Sequence, residues 1–169
     1  QFGLLSLAIP EEYGGTEADI LTTMLVMEGL GYGCRDNGLI FAMNAQMWSV
    51  QHPILAFGCG AQKQKYLPGL CRGDLIGAHG MSEPDSGSDA FALKTRAVDK
   101  GDHYELTGQK LWITNGNEAE IFVLFATVDP EAGYKGITAF IVEKQFEGFS
   151  VGKKEDKLGM RASETSEVL

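Results

Sequence analysis

His79 to Asp89 reads HGMSEPDSGSD, and Lys110 to Gly116 reads KLWITNG. In the first stretch Pro84 fixes one φ angle, while Gly87 lets the backbone come close to a ligand. Successive N–H groups in such a turn form an anion-binding nest, and a pyrophosphate would fit there. An ordinary strand-to-strand loop is built from the same Ser, Asp, Gly and Pro residues, so this stretch alone leaves both readings open. In the second stretch, alternation along a strand puts Trp112 and Thr114 on one face. An indole beside a hydroxyl makes a wall for a planar ring, with the hydroxyl near a ring nitrogen. A core tryptophan is the plainer alternative.

The surroundings of these two stretches set the fold class. From Asp74 onward the chain is a series of short runs rich in alternating or β-branched residues: Leu75 to Met81, Ala92 to Val98, His103 to Thr107, Gln109 to Thr114, Ile121 to Thr127, Ile137 to Val142 and Phe149 to Gly152. Turn signals separate them, and the even rhythm predicts a small antiparallel β-barrel or sandwich. Before Asp74 the pattern is helical. Thr16 or Asp19 can cap a first helix with Ile20, Met24, Met27 and Leu30 at helical spacing, closed by Gly29, Gly31 and Gly33. A long buried helix is expected from Asn37 to Phe57, kinked or restarted at Pro53, and a short one from Gln62 to Leu70, ended by Pro68 and Gly69. The fold class is therefore α+β, a partial N-terminal helical domain over 1–73 followed by a small antiparallel β-barrel middle domain over 74–169. Thr165 to Leu169 reads as the opening of a further strand, so the chain is expected to be a fragment.

Composition narrows the partners. With 169 residues, 44% of them hydrophobic, the chain can bury one sizeable core. A formal net charge of -9 disfavours nucleic acid, which selects clustered Lys and Arg. The three cysteines, Cys34, Cys59 and Cys71, are widely spaced and fit reduced intracellular thiols better than a disulfide scaffold or zinc site. No apolar run approaches the roughly 20 residues that cross a bilayer.

Taken together, SEPDSGSD and KLWITNG match in order, spacing and flanks the TEP-x-x-GSD turn and K-x-WITNG strand of the acyl-CoA dehydrogenases, which this chain resembles. IPEEYGG and QKQKYLPGLCRGD look like that family's helical N-terminal domain, and GYKGITAFIVEK and KLGMRAS like its β middle domain. The resemblance implies FAD held by the turn His79, Gly80, Met81, Ser82, Glu83, Pro84, Gly87 and Ser88, with Ser82 beside the flavin pyrimidine. It implies a second contact from Trp112, Ile113 and Thr114. Ser88 is expected to touch both the CoA substrate and the cofactor phosphates, and Tyr134 to touch substrate as well. The implied reaction is α,β-desaturation of an acyl thioester, with electrons passed to electron transfer flavoprotein. Family tetramers or dimers, in the bacterial cytoplasm or the mitochondrial matrix, complete the picture.

The resemblance also marks what is missing. The family's catalytic glutamate lies in a C-terminal helical domain, and none of Glu83, Glu118, Glu120 or Glu164 stands at its position, so no catalytic residue is assigned in this chain. His79 replaces a tyrosine or small apolar residue; it either tunes the flavin or is a hydrogen-bonded structural residue. His52 and His103 have no partner at metal-ligand spacing, and no metal is expected. Lys153 to Lys157 reads as a solvated face, and Met24, Met27, Met43 and Met47 as core filler. An acyl-CoA oxidase, a biosynthetic enzyme acting on carrier-protein-bound acyl groups, and a non-catalytic flavin-binding or assembly module are the competing readings.

Overall fold

The computed structural model describes residues 2–169. The helical part comprises α1 (Ile20–Gly33), α2 (Asn37–Gln46), α3 (His52–Phe57) and α4 (Gly60–Arg72), preceded by two single turns of 3-10 helix at Leu4–Ser6 and Glu11–Tyr13. Asp19 caps α1, its carboxylate accepting from the Thr22 N–H at 2.7 Å, which satisfies one of the orphan donors of the first turn. Gly29 and Gly31 sit inside this helix, and only beyond Gly33 does Cys34 turn extended and close it.

α2 and α3 form the long helix expected over Asn37 to Phe57, joined by a π-helical turn at Met47–Gln51. Only its second half is buried. Met47, Val50 and Ile54 are in the core, whereas Leu39 and Phe41 face outward. α4 is longer than predicted and runs straight through Pro68. Burial of Tyr66, Leu67, Leu70 and Cys71 on one face outweighs the lost backbone bond, and the helix stops instead at Gly73, whose φ of 76° an L side chain resists. Burial also raises the Cys71 thiol pKa to about 11, so this cysteine is inert.

The β part has eight strands: β1 (Gly77–Gly80), β2 (Arg96–Asp99), β3 (Tyr104–Thr107), β4 (Lys110–Thr114), β5 (Ile121–Thr127), β6 (Ile137–Glu143), β7 (Val151–Lys154) and β8 (Thr165–Val168). A helical region followed by a small β domain is what the sequence predicts, but the sheets are neither closed nor wholly antiparallel. β5 is central: it lies antiparallel to β6 over its full length and parallel to β1, and it meets β2 in parallel at Arg96 and Thr127. β2 and β3 form an antiparallel hairpin. The second sheet is the antiparallel trio β4, β8 and β7. The strand predicted to start at Ala92 begins only at Arg96, because the N–H groups of Lys94 and Thr95 are taken by the Glu83 carboxylate at 2.5 and 3.1 Å.

β5 explains why the layers hold. Its sequence IFVLFAT is apolar on both faces, as a strand buried from two sides must be. Ile121 and Val123 pack against Val50, Ile54, Leu67 and Leu70 of the helices, while Phe122 and Leu124 pack against Ile113 and Val168 of the second sheet. Each such side chain contributes about 1.5–3 kcal/mol when fully buried. Gln46 stitches helix to strand, donating to the Leu70 carbonyl at 3.2 Å and accepting from the Gly77 N–H at 3.1 Å. None of the described helices is long and apolar enough to cross a membrane.

Candidate functional site

The two stretches singled out in the sequence lie side by side. β1 ends at Gly80, the turn from Met81 to Asp89 follows, and the first residues of β4 run beneath it. The Leu111 N–H donates to the Ser82 carbonyl at 2.9 Å, and Lys110 Nζ to the Met81 carbonyl at 3.3 Å. Gly80 leaves room for the side chains packed over it, since a Cβ there would lie 2.4 Å from Leu124 Cδ2 and 3.4 Å from Lys110 Cγ. Within the turn, Glu83 and Ser86 exchange backbone bonds at 2.8 and 3.2 Å, and Ser86 Oγ donates to the Asp89 carbonyl at 2.8 Å.

What the turn keeps for a ligand is specific. The hydroxyls of Ser82, Ser88 and Thr114 and the N–H groups of Gly87 and Ser88 make no hydrogen bond among the described residues. Gly87 and Ser88 are exposed, and a Cβ on Gly87 would meet nothing within 4 Å. Two donors and a hydroxyl thus stand open beside Pro84, which is also exposed. This donor set suits a phosphate or another anion.

Trp112 reaches its place by a device that strict alternation does not anticipate. Between the pairs Lys110↔Val168 and Ile113↔Ser166, β4 carries one residue more than β8, a β-bulge with Trp112 at φ 59°. The extra residue lets Lys110 and Ile113 both point inward and leaves Trp112 60% exposed. Across Trp112, Ile113 and Thr114 the burial runs exposed, buried, half-buried, so the indole and the Thr114 hydroxyl lie on the side away from the core of Ile113. The strand ends in a turn at Asn115, whose Nδ2 reaches the Ala42 and Gly77 carbonyls at 3.3 and 3.4 Å.

Other candidates are disposed differently. Glu83 is buried and its carboxylate is fully engaged: by Lys110 Nζ at 2.6 Å, Thr95 Oγ1 at 2.5 Å and the two N–H groups already named. Burial pushes its pKa up, but these donors outweigh burial and hold it below the ordinary carboxylate range. It is an anchor of the turn rather than a free base. His79 turns its ring inward against Phe125, centroids 5.2 Å apart, and Nδ1 donates to the Ser49 carbonyl at 3.1 Å. Burial lowers its pKa, opposed by that bond and assisted by the charge of Lys110. Tyr134 lies on the 3-10 segment Pro130–Gly136, exposed, its ring 5.7 Å from that of Phe91, just beyond the turn. Lys157, read as part of a solvated face, instead donates to the Ser163 carbonyl and to Thr165 Oγ1, the latter at 2.8 Å.

Sequence reasoning passed over Lys110, Thr95 and Phe91. A lysine inside the motif next to apolar neighbours was the available signal for the first. A cavity of about 740 Å³ lies elsewhere, lined by Tyr104, Leu106, Leu124, Phe140 and Phe149, with Lys110 and Thr95 also in its wall.

The molecule is thus a helical layer on a β domain, with a turn carrying open donors joined to a strand carrying an exposed indole. Residues 1–74 match the N-terminal domain of acyl-CoA dehydrogenases and residues 78–169 their middle domain, and the chain belongs to that family. It is 44% identical over 169 residues to the short-chain specific acyl-CoA dehydrogenase of Clostridium acetobutylicum, all of this chain against 44% of that protein. Among solved structures it is similar to the prolyl acyl carrier protein oxidase AnaB, at 51% identity and a TM-score of 0.96 over 99% of this chain and 44% of the other. It is similar also to PigA, solved with FAD and proline, at 35% identity and a TM-score of 0.96 over 99% and 44%. The chain thus spans less than half the length of these relatives.

Proposed function

We propose that this chain is the FAD-binding part of a flavoenzyme that desaturates an acyl-CoA thioester between its α and β carbons. The observation that carries the reading is that three uncommitted hydroxyls, Ser82, Ser88 and Thr114, and the exposed indole of Trp112 lie on two segments joined by the Leu111 to Ser82 backbone bond. The residues fit a flavin nucleotide: Trp112 offers a flat apolar wall, Ser82 and Thr114 offer donors for a ring edge, and Gly87 and Ser88 offer donors for phosphate oxygens. FAD, when bound, supplies the two-electron acceptor. The chain's own share is to orient the ring, keep one of its faces dry and aim hydroxyl donors at the charge that develops on its pyrimidine edge, an electrostatic contribution set up before reaction.

No residue is assigned as the base that removes the α-proton: the buried carboxylate of the turn, Glu83, is engaged with Lys110 and Thr95. Ser88, exposed on the turn, and Tyr134, exposed beside Phe91, are proposed to contact the thioester's carrier arm. Electron transfer flavoprotein is the proposed acceptor, a homotetramer or homodimer the proposed assembly, and residue 73 or 74 the proposed domain boundary.

A second reading replaces CoA by a carrier protein and the dehydrogenase by an oxidase. Its support is the 51% identity to the prolyl acyl carrier protein oxidase, above the 44% to the short-chain dehydrogenase. The two readings separate in one anaerobic experiment on the intact gene product loaded with FAD. Bleaching of the flavin by butyryl-CoA, with reoxidation faster by electron transfer flavoprotein than by air, is expected. Bleaching only by a prolyl-loaded carrier protein, with rapid reoxidation by air, assigns the second reading. No bleaching by either thioester overturns both.

A further inference from the structure

We infer that Lys110 is a positioning residue, the clamp that sets the Ser82 hydroxyl and the Trp112 indole at a fixed separation. The inference rests on the flavin-site reading above and concerns how that site is held. Lys110 Nζ donates to Glu83 Oε1 at 2.6 Å and to the Met81 carbonyl at 3.3 Å, while the adjoining Leu111 N–H donates to the Ser82 carbonyl at 2.9 Å. Three successive residues of the turn are therefore gripped from β4, by two neighbouring residues of that strand. Trp112 follows directly on the same strand, at the bulge. Any movement of Lys110 moves the turn and the indole relative to each other.

The pair is not explained by stability. Its side chains are 2% and 5% exposed, and a buried ion pair of this kind is commonly no more stable than an apolar pair of similar volume. What an apolar pair would not supply is direction. Thr95 completes the arrangement from a third segment, its Oγ1 and N–H both on the same carboxylate, at 2.5 and 3.1 Å. Glu83 thereby ties together the turn, β4 and the approach to β2, and it is buried where Gly87 and Ser88 of the same turn are exposed. Rigid support of this sort is what holds a site to the tolerance its chemistry needs.

The test uses the intact gene product, with FAD affinity, the visible absorption and circular dichroism of the bound flavin, and the melting temperature of the FAD-free protein as readouts. K110M alone strands a buried carboxylate and is expected to melt early. The double variant E83Q/K110M removes both charges; it is expected to melt within a few degrees of the parent, yet to bind FAD about tenfold more weakly and with the flavin dichroism diminished. Parent-like affinity and dichroism in that folded double variant would overturn the inference. If the double variant does not fold, T95V decides, because it loosens Glu83 without leaving a charge unpaired. A several-fold loss of FAD affinity supports the clamp, and an unchanged affinity overturns it. A parent protein that takes up no FAD would instead sink the flavin-site reading itself.

Discussion

Pro53 has no N–H to offer the carbonyl of Ser49, one turn earlier in the same helix, and the structure supplies a donor from another element: His79 Nδ1, at 3.1 Å. One missing helical bond thus accounts for the inward orientation of His79, two residues before the turn. His79→Phe leaves that carbonyl short of a partner and is expected to cost about 1–2 kcal/mol. The same change in a Pro53→Ala background should cost less, because the introduced alanine brings its own N–H. Thermal melting of the four proteins in this cycle measures the coupling, and additive losses would contradict it. The pH dependence follows from the same geometry. Burial holds His79 below the ordinary histidine value of about 6.5, so the unfolded chain takes up this proton first. The stability it contributes is full above that value and is lost as the pH falls through the folded value. The melting temperature of the parent should therefore drop on acidification below about pH 6.5, and more gently in His79→Phe, with half-buried His52 and, at lower pH, carboxylates such as Glu83 supplying the slope that remains.

At the scale of elements, the bulge in β4 is where backbone strain and site geometry meet. A tryptophan at φ 59° carries about 1 kcal/mol of backbone strain that glycine does not. Since Trp112 is mostly exposed, Trp112→Gly should leave the melting temperature of the FAD-free protein unchanged or raised, while FAD affinity falls roughly tenfold with loss of the aromatic contact. A lower melting temperature with intact affinity would mean that the indole serves the fold. The period-two pattern of KLWIT made a half-exposed strand readable, and with it the pairing of Trp112 with Thr114. The bulge was not readable, because it is set by registration against Val168 and Ser166, far along the chain. The pairing of Lys110 with Glu83 stayed hidden for a related reason: charges default to solvent in a local pattern, and only the tertiary approach of β4 to the turn brings the two together. α4 ran past Pro68 on the same grounds, its buried face overriding a local stop signal.

For the molecule as a whole, the helical layer is lopsided. Its inner face meets β5, but Ile20, Leu21, Leu25, Leu39, Phe41 and Phe57 remain exposed on α1, α2 and α3. So many large apolar side chains left exposed on three helices make this layer a contact surface or an aggregation liability. The 169-residue chain expressed by itself is therefore expected to self-associate and to bind a hydrophobic dye, with light scattering as the check; a monodisperse monomer that binds no dye would contradict the expectation. The proposed flavin site faces a different demand, since on that reading its open donors gain partners only when an anionic, planar cofactor arrives. The most direct test is a titration of the FAD-free intact gene product with FAD, beside the double variant Ser82→Ala/Thr114→Val. With each lost hydroxyl bond worth about 1 kcal/mol, the parent should bind one FAD per chain and the variant should bind it tenfold or more weakly. Equal binding by both, or none by the parent, would contradict the account.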